Sequence, residues 1–321
     1  MSETSSPFRP NASPLGAPKF RDERWTATGD PRAQVALRGL HTLWFNTGTL
    51  CNIACATCYI DSSPTNDALA YLSAADVETY LDEIIDQDLP TEEIGLTGGE
   101  PFMNREIIAI LEASLARGFR TLVLTNAMRP MRRFEADLLT LRDRFGDRLT
   151  LRVSLDHHDP AIHEAERGPG SWNAAIEGLV WIARSGLRTA IAGRRLPGET
   201  DADARASYQT LLARLGVRLD VNDFERLILF PQMDAAADTP EITESCWSIL
   251  GKSPDSVMCA SSRMVVRRRE ELSPRVVACT LLPYDPQFEL GATLLEASRP
   301  VPLNHPHCSR FCVLGGASCS G

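Results

Sequence analysis

The chain has 321 residues, 43% of them hydrophobic and 23% charged, a balance that suits one large α/β domain with a small extension. Its formal net charge of −9 argues against a nonspecific polyanion binder, because neutralising phosphates needs a basic surface. No apolar run reaches bilayer-spanning length, so neither a nucleic-acid nor a membrane partner is expected.

The N-terminus, MSETSSPFRPNASPLGAPKF, has no apolar signal core and is rich in Ser and Pro. It predicts a flexible leader over residues 1–35 and a cytoplasmic protein. From residue 41, short β-branched or aromatic runs alternate with longer amphipathic segments. Residues 41–46 (HTLWFN) read as a strand leading into a cysteine loop. Over 74–87, Val77, Tyr80, Leu81, Ile84 and Ile85 recur at helical spacing behind Ser73, an N-cap residue. Strands then follow at 93–96, 121–124, 149–155, 189–192 and 225–230. Between them, helices are predicted over 105–116, 133–145, 171–185 and 201–215. Such alternation implies parallel βαβ units, and six of them form a partial (β/α)6 barrel over residues 36–231.

After Pro231 the rhythm changes. Residues 232–321 show helical periodicity only at 243–250, then two strands, 264–268 and 276–279, with a charged turn between them. This predicts a small cysteine-bearing extension. Arg267, Arg268 and Arg269 in that turn read as solvated charge.

Nine cysteines, three at 51–58 and six from 246 onward, suit metal ligation better than a disulfide framework. Cys51, Cys55 and Cys58 follow the first strand with spacing C-x3-C-x2-C. Three thiolates on one loop can hold three corners of a [4Fe–4S] cube and leave one iron open. A structural zinc loop or three buried thiols is the alternative. Gly98, Gly99, Glu100 and Pro101 end the second strand, where glycines let backbone approach a ligand and Glu100 supplies an acceptor.

The cysteine triplet followed by Gly98-Gly99-Glu100-Pro101 resembles the radical S-adenosylmethionine (SAM) superfamily over roughly residues 40–231. The resemblance implies a SAM-cleaving enzyme whose open iron binds SAM. It also implies an electron donor such as flavodoxin or ferredoxin, and a peptide or small-molecule substrate. Asn126 at the third strand end, Ser154 and Asp156 at the fourth, and Arg167 resemble SAM-contacting positions of the family. One position departs: many members carry an aromatic residue just before the third cysteine, where this chain has Thr57, with Tyr59 just after.

Cys259, Cys279, Cys308, Cys312 and Cys319 resemble the auxiliary-cluster extensions called twitch or SPASM domains. Four of the five would hold a second [4Fe–4S] cluster; zinc or redox thiols are the alternative. Cys246 reads as a core thiol. His157, His158 and His163 read as a solvated turn, with metal or acid–base work the alternative, and Arg194-Arg195 as exposed charge, with bidentate binding of a substrate carboxylate or phosphate the alternative. Peptide or natural-product modification is the leading function. Small-molecule or cofactor biosynthesis is the second, and a non-catalytic iron–sulfur sensor the alternative of another class.

Overall fold

A computed structural model describes residues 19–232 and 238–316. After a short strand β1 (Gln34–Val35), the expected alternation begins with β2 (Thr42–Asn46), α1 (Ala74–Asp86), β3 (Glu93–Thr97), α2 (Ile107–Ala116) and β4 (Arg120–Thr125). It continues through α3 (Arg129–Arg132), α4 (Glu135–Phe145), β5 (Leu149–Ser154), α5 (Pro160–Arg167), α6 (Ser171–Arg184), β6 (Arg188–Arg195), α7 (Asp201–Leu215) and β7 (Leu227–Pro231). The remainder holds α8 (Cys246–Leu250), β8 (Ser262–Val266), β9 (Arg275–Val277), β10 (Glu289–Gly291) and β11 (Val301–Pro302).

Local sequence explains these elements. Helix α1 starts in a reciprocal capping box: the Ser73 side chain accepts from the Asp76 N–H, and the Asp76 carboxylate accepts from the Ser73 N–H. Its Val77, Tyr80, Leu81 and Ile84 are buried against the sheet, each contributing about 1.5–3 kcal/mol of apolar burial. Every residue of β2 is buried, as parallel strands covered on both faces require. Trp44 of β2 lies opposite Gly95 of β3, and a Cβ there would stand 2.3 Å from the indole. The absent side chain at 95 makes room for the ring.

Strands β2 to β7 pair in parallel, in sequence order. Laid flat at about 4.8 Å per strand, β2 and β7 would stand about 24 Å apart. Cys51 in the loop after β2 and Phe230 of β7 line one cavity, so the sheet curves around it as a partial barrel. The expected hairpin forms as β8 and β9. It is no detached appendage: β8 pairs in parallel with β2, Trp44 opposite Met264, and extends the sheet to nine strands. The arginine run is tied down, Arg267 to Asp76, Arg268 to Glu289 and Arg269 to Asp67.

The leader expectation differs from the structure over 19–35. Gln34 and Val35 pair antiparallel with Pro302 and Val301. Arg32 is buried and forms an ion pair with Glu241 at 2.5 Å. Residues before Lys19 lie outside the described residues. Helix α5, absent from the sequence reading, is nucleated by Asp159, whose carboxylate caps the N–H groups of Ala161 and Ile162, with Pro160 at the first helical position. Cys246 is half-buried on α8 rather than in the core, and its sulfur accepts from the Thr243 N–H at 3.4 Å. Among the described residues, no helix is long and apolar enough to cross a membrane.

Candidate active site at the strand ends

The cavity of about 180 Å³ lies where the carboxyl ends of β3 to β7 meet the loop after β2. Cys51, Cys55 and Cys58 line it together with Gly98, Gly99, Asn126, Ser154, Asp156 and Arg167. Burial pushes the Cys51 thiol up to about 12 and the Cys55 thiol to about 11, and each of the two is raised further by its cysteine neighbours. Three thiols close enough to oppose one another's ionisation suit a metal centre that takes thiolates and offsets their mutual repulsion. The Ser62 N–H donates to the Cys58 sulfur at 3.3 Å, the kind of contact that supports a ligating thiolate. This donor set fits an iron–sulfur cluster with one open corner.

The glycines act on the cysteine loop itself. A Cβ on Gly99 would lie 2.2 Å from the Leu50 carbonyl oxygen, and one on Gly98 would lie 2.5 Å from the Gly48 oxygen. Gly98 also sits at φ +141, a region L side chains rarely adopt. The Gly99 N–H donates to Gly48 O at 2.8 Å and the Glu100 N–H to Leu50 O at 3.2 Å. The turn after β3 is therefore laced to the backbone that carries Cys51.

Glu100 and Pro101 are buried outside the cavity lining. The Glu100 carboxylate accepts from the Thr125 hydroxyl at 2.9 Å, the Asn126 N–H at 2.8 Å and the Phe102 N–H at 3.2 Å. It clamps the end of β3 to the end of β4, which corrects its expected place as a ligand acceptor. Burial pushes its carboxyl up to about 7 despite those three donors. Asn126, held by this clamp, points its amide at Asn52 on the cysteine loop, 2.9 Å away.

Asp156 carries two guanidinium groups. Arg167 donates to it at 2.6 and 3.3 Å, and Arg194 at 3.2 Å. Burial acts to raise the Asp156 carboxyl, but the two arginines outweigh it and hold it below the usual range. Arg167 is buried beside Cys55 and Cys51, and its own ionisation is raised by Asp156 and those thiols. Glu166 is a second acid on Arg194, so the two cations and two carboxylates balance, and Arg167 presents a fixed guanidinium to the cavity.

Arg194 is no exposed charge. It lines the cavity, pairs with Glu166 at 3.4 Å, bonds to Thr57 and covers the Tyr59 ring at 5.4 Å. Thr57, which stands where the family carries an aromatic residue, donates its hydroxyl to Glu166 at 2.5 Å and lies outside the lining. Tyr59 lines the cavity instead, beside Phe230 and Phe311. Neither phenylalanine is marked by a motif in the sequence, whereas Arg194, at a strand end, takes the anion-facing place that was the alternative to exposed charge.

The histidines are not a solvated turn either. His163 is fully buried against Trp172, and His157 is 4% exposed. His157, His158 and Glu199 bring ligand atoms within 4.8 Å of one another. However, His157 Nδ1 accepts from the Asp159 N–H, so the neutral ring carries its proton on Nε2, 3.9 Å from Glu199. That nitrogen is a donor facing a carboxylate, which does not suit a metal ligand.

Four of the C-terminal cysteines, Cys259, Cys279, Cys308 and Cys312, line a second cavity, which adjoins the first through Leu281. Cys308 and Cys312 lie on one π-helical turn, Cys308–Leu314. Burial raises the Cys308 thiol, and Cys279 and Cys259 raise it further. Cys319 lies outside the described residues.

The model of the family described as "Radical SAM superfamily" matches residues 45–211. Among curated proteins, the chain is 29% identical over 143 residues to the antilisterial bacteriocin subtilosin biosynthesis protein AlbA of Bacillus subtilis, covering 44% of this chain and 30% of that one. It is 24% identical to the mycofactocin maturase MftC of Mycolicibacterium smegmatis, over 53% of this chain and 41% of that one. It is 27% identical to the GTP 3′,8-cyclase of Tolumonas auensis, over 47% and 43%. The chain thus spans less than half the length of each of these relatives. Among solved structures, anSMEcpe with bound AdoMet aligns with TM-score 0.57 at 14% identity, covering 86% of this chain and 84% of that one. SuiB of Streptococcus suis bound to S-adenosylmethionine aligns with TM-score 0.53 at 12% identity, over 78% and 63%. The cysteine loop, the glycine turn packed on it and the matched span of the barrel agree, and the chain belongs to the radical SAM superfamily of enzymes.

Proposed function

We propose that this chain binds SAM in the strand-end cavity, cleaves it reductively and uses the resulting radical to abstract hydrogen from a peptide substrate. The observation that carries the reading is the convergence of Cys51, Cys55, Cys58 and the Arg167 guanidinium on one cavity. Held by those thiolates, a [4Fe–4S] cluster supplies an open iron and one electron for breaking SAM into methionine and a 5′-deoxyadenosyl radical. Arg167, fixed by Asp156, offers its charge to the methionyl carboxylate. Asn126 and Ser154 present polar groups along the wall, while Tyr59, Phe230 and Phe311 give apolar faces for the adenine and limit water.

A second [4Fe–4S] cluster at Cys259, Cys279, Cys308 and Cys312 completes the reading. It is supported by their common cavity. Peptide modification is favoured because AlbA is a bacteriocin biosynthesis protein, MftC is a maturase and one SuiB structure holds a precursor peptide. The GTP 3′,8-cyclase relative favours a small-molecule substrate as the second reading.

Anaerobic reconstitution followed by dithionite and SAM tests the first step. The expected product is 5′-deoxyadenosine, lost in Cys58→Ala. A fully iron-loaded protein that makes none would overturn the proposal.

A further inference from the structure

Arg263, the second residue of β8, is 1% exposed. Its guanidinium donates to carbonyls alone: Cys259 at 2.6 Å, Ser262 at 2.8 Å, Ala297 at 2.8 Å and Arg299 at 3.2 Å. No carboxylate among the described residues pairs with it within 4.0 Å. Among the described residues, every other deeply buried arginine faces an acid: Arg32 has Glu241, Arg167 and Arg194 have Asp156, Arg205 has Asp201, and the Arg152 charge acts on Glu93. A buried charge without a counter-charge is costly, because its lost hydration is not offset.

The ionisable groups that act on Arg263 are the thiols of Cys259 and Cys279. Only as thiolates would they supply the missing negative charge, and ligation to a metal centre makes them thiolates. The β8 strand that presents Arg263 is rigid: it is buried along its length and paired on both sides, with β2 and with β9. The cation is therefore fixed against the backbone of Cys259, a residue that lines the second cavity, by sheet pairing and four carbonyls.

We propose that Arg263 is the electrostatic partner of the auxiliary cluster, offsetting its thiolate charge and holding its reduction potential up. The inference rests on the two-cluster reading above. A fixed cation stabilises the state of the cluster that carries one more electron, and net charge is among the terms that set such potentials. Arg263 is a positioning residue here, since it reaches the cysteines without being a ligand. The device ties the barrel to the cluster, because β8 is also the strand that joins the extension to β2.

The test uses the full chain carrying Cys51→Ala, Cys55→Ala and Cys58→Ala, so that any remaining cluster is the auxiliary one. Iron content, and a potential read by an EPR-monitored redox titration, are measured with Arg263, Arg263→Lys and Arg263→Gln. Expected is about four iron per chain in the Arg263 form. The Lys form should keep the iron and a potential close to that of Arg263, because the charge stays. The Gln form should shift to lower potential, or fail to hold iron where the Lys form holds it. Equal potentials for Gln and Arg would overturn the inference and leave the cluster reading intact. Loss of iron from both the Lys and Gln forms would overturn it too, since carbonyl bracing by the guanidinium, not charge, would then be what matters. No iron in the Arg263 form would overturn the two-cluster reading and the inference with it.

Discussion

Asp156 accepts from Arg167 through both carboxylate oxygens, at 2.6 and 3.3 Å, while also holding Arg194 at 3.2 Å. All three side chains are about nine-tenths buried, so none of the charges is well hydrated. Removing one charge of such a group leaves the others unbalanced. Asp156→Asn should lower unfolding stability by about 3 kcal/mol, read from urea denaturation. It should also weaken SAM binding by about tenfold in equilibrium dialysis, a loss of about 1.4 kcal/mol, by freeing Arg167 from its position. Unchanged stability together with unchanged SAM binding would mean that the carboxylate does not organise the two arginines.

Gly99 is the tightest point between the glycine turn and the cysteine loop. Its Cβ would meet backbone, the Leu50 carbonyl, which cannot swing aside as a flexible side-chain end can. Gly99→Ala should push the loop that leads into Cys51, at a packing cost of about 1–3 kcal/mol. The expected readout is a reconstituted chain with less than half the iron at its first site, measured in a Cys308→Ala, Cys312→Ala background that removes the second. Full iron loading there would show that the loop tolerates the displacement.

Gly95→Ala probes the barrel rather than the site. Trp44 fills the space over Gly95, and a methyl group 2.3 Å from its ring forces the indole or the strand to move. A loss of about 3 kcal/mol is expected from thermal or chemical unfolding, at the upper end for overpacking a core. A change under about 0.5 kcal/mol would mean that the ring has room to shift.

The six β/α units and the cysteine loop were legible because their signals are local: periodicity, caps and a short spacing. Roles that depend on what a residue meets across the fold were not. Glu100 sits in a motif that reads as ligand-facing, but the three donors that claim its carboxylate come from Thr125, Asn126 and Phe102. Arg194 reads as surface charge until β6 is placed next to β5, where Asp156 waits for it. The pairing of β1 with β11 joins residues far apart in the chain, and two-residue strands leave no periodicity to detect. The grouping of Cys259 and Cys279 with Cys308 and Cys312 in one cavity also needed the fold, since spacing does not reveal it.

The ligand set proposed above gives the sharpest prediction about the second site. In the chain lacking Cys51, Cys55 and Cys58, replacing Cys259, Cys279, Cys308 or Cys312 singly by Ala should remove most of the remaining iron, because a cube with three thiolates left is exposed to loss. Cys246→Ala and Cys319→Ser should each retain about four iron per chain. If Cys319→Ser empties the site while Cys312→Ala does not, the ligand set runs through the C-terminal cysteine and the cavity-lining assignment is wrong. Iron retained in all six variants would instead point to ligands other than cysteine.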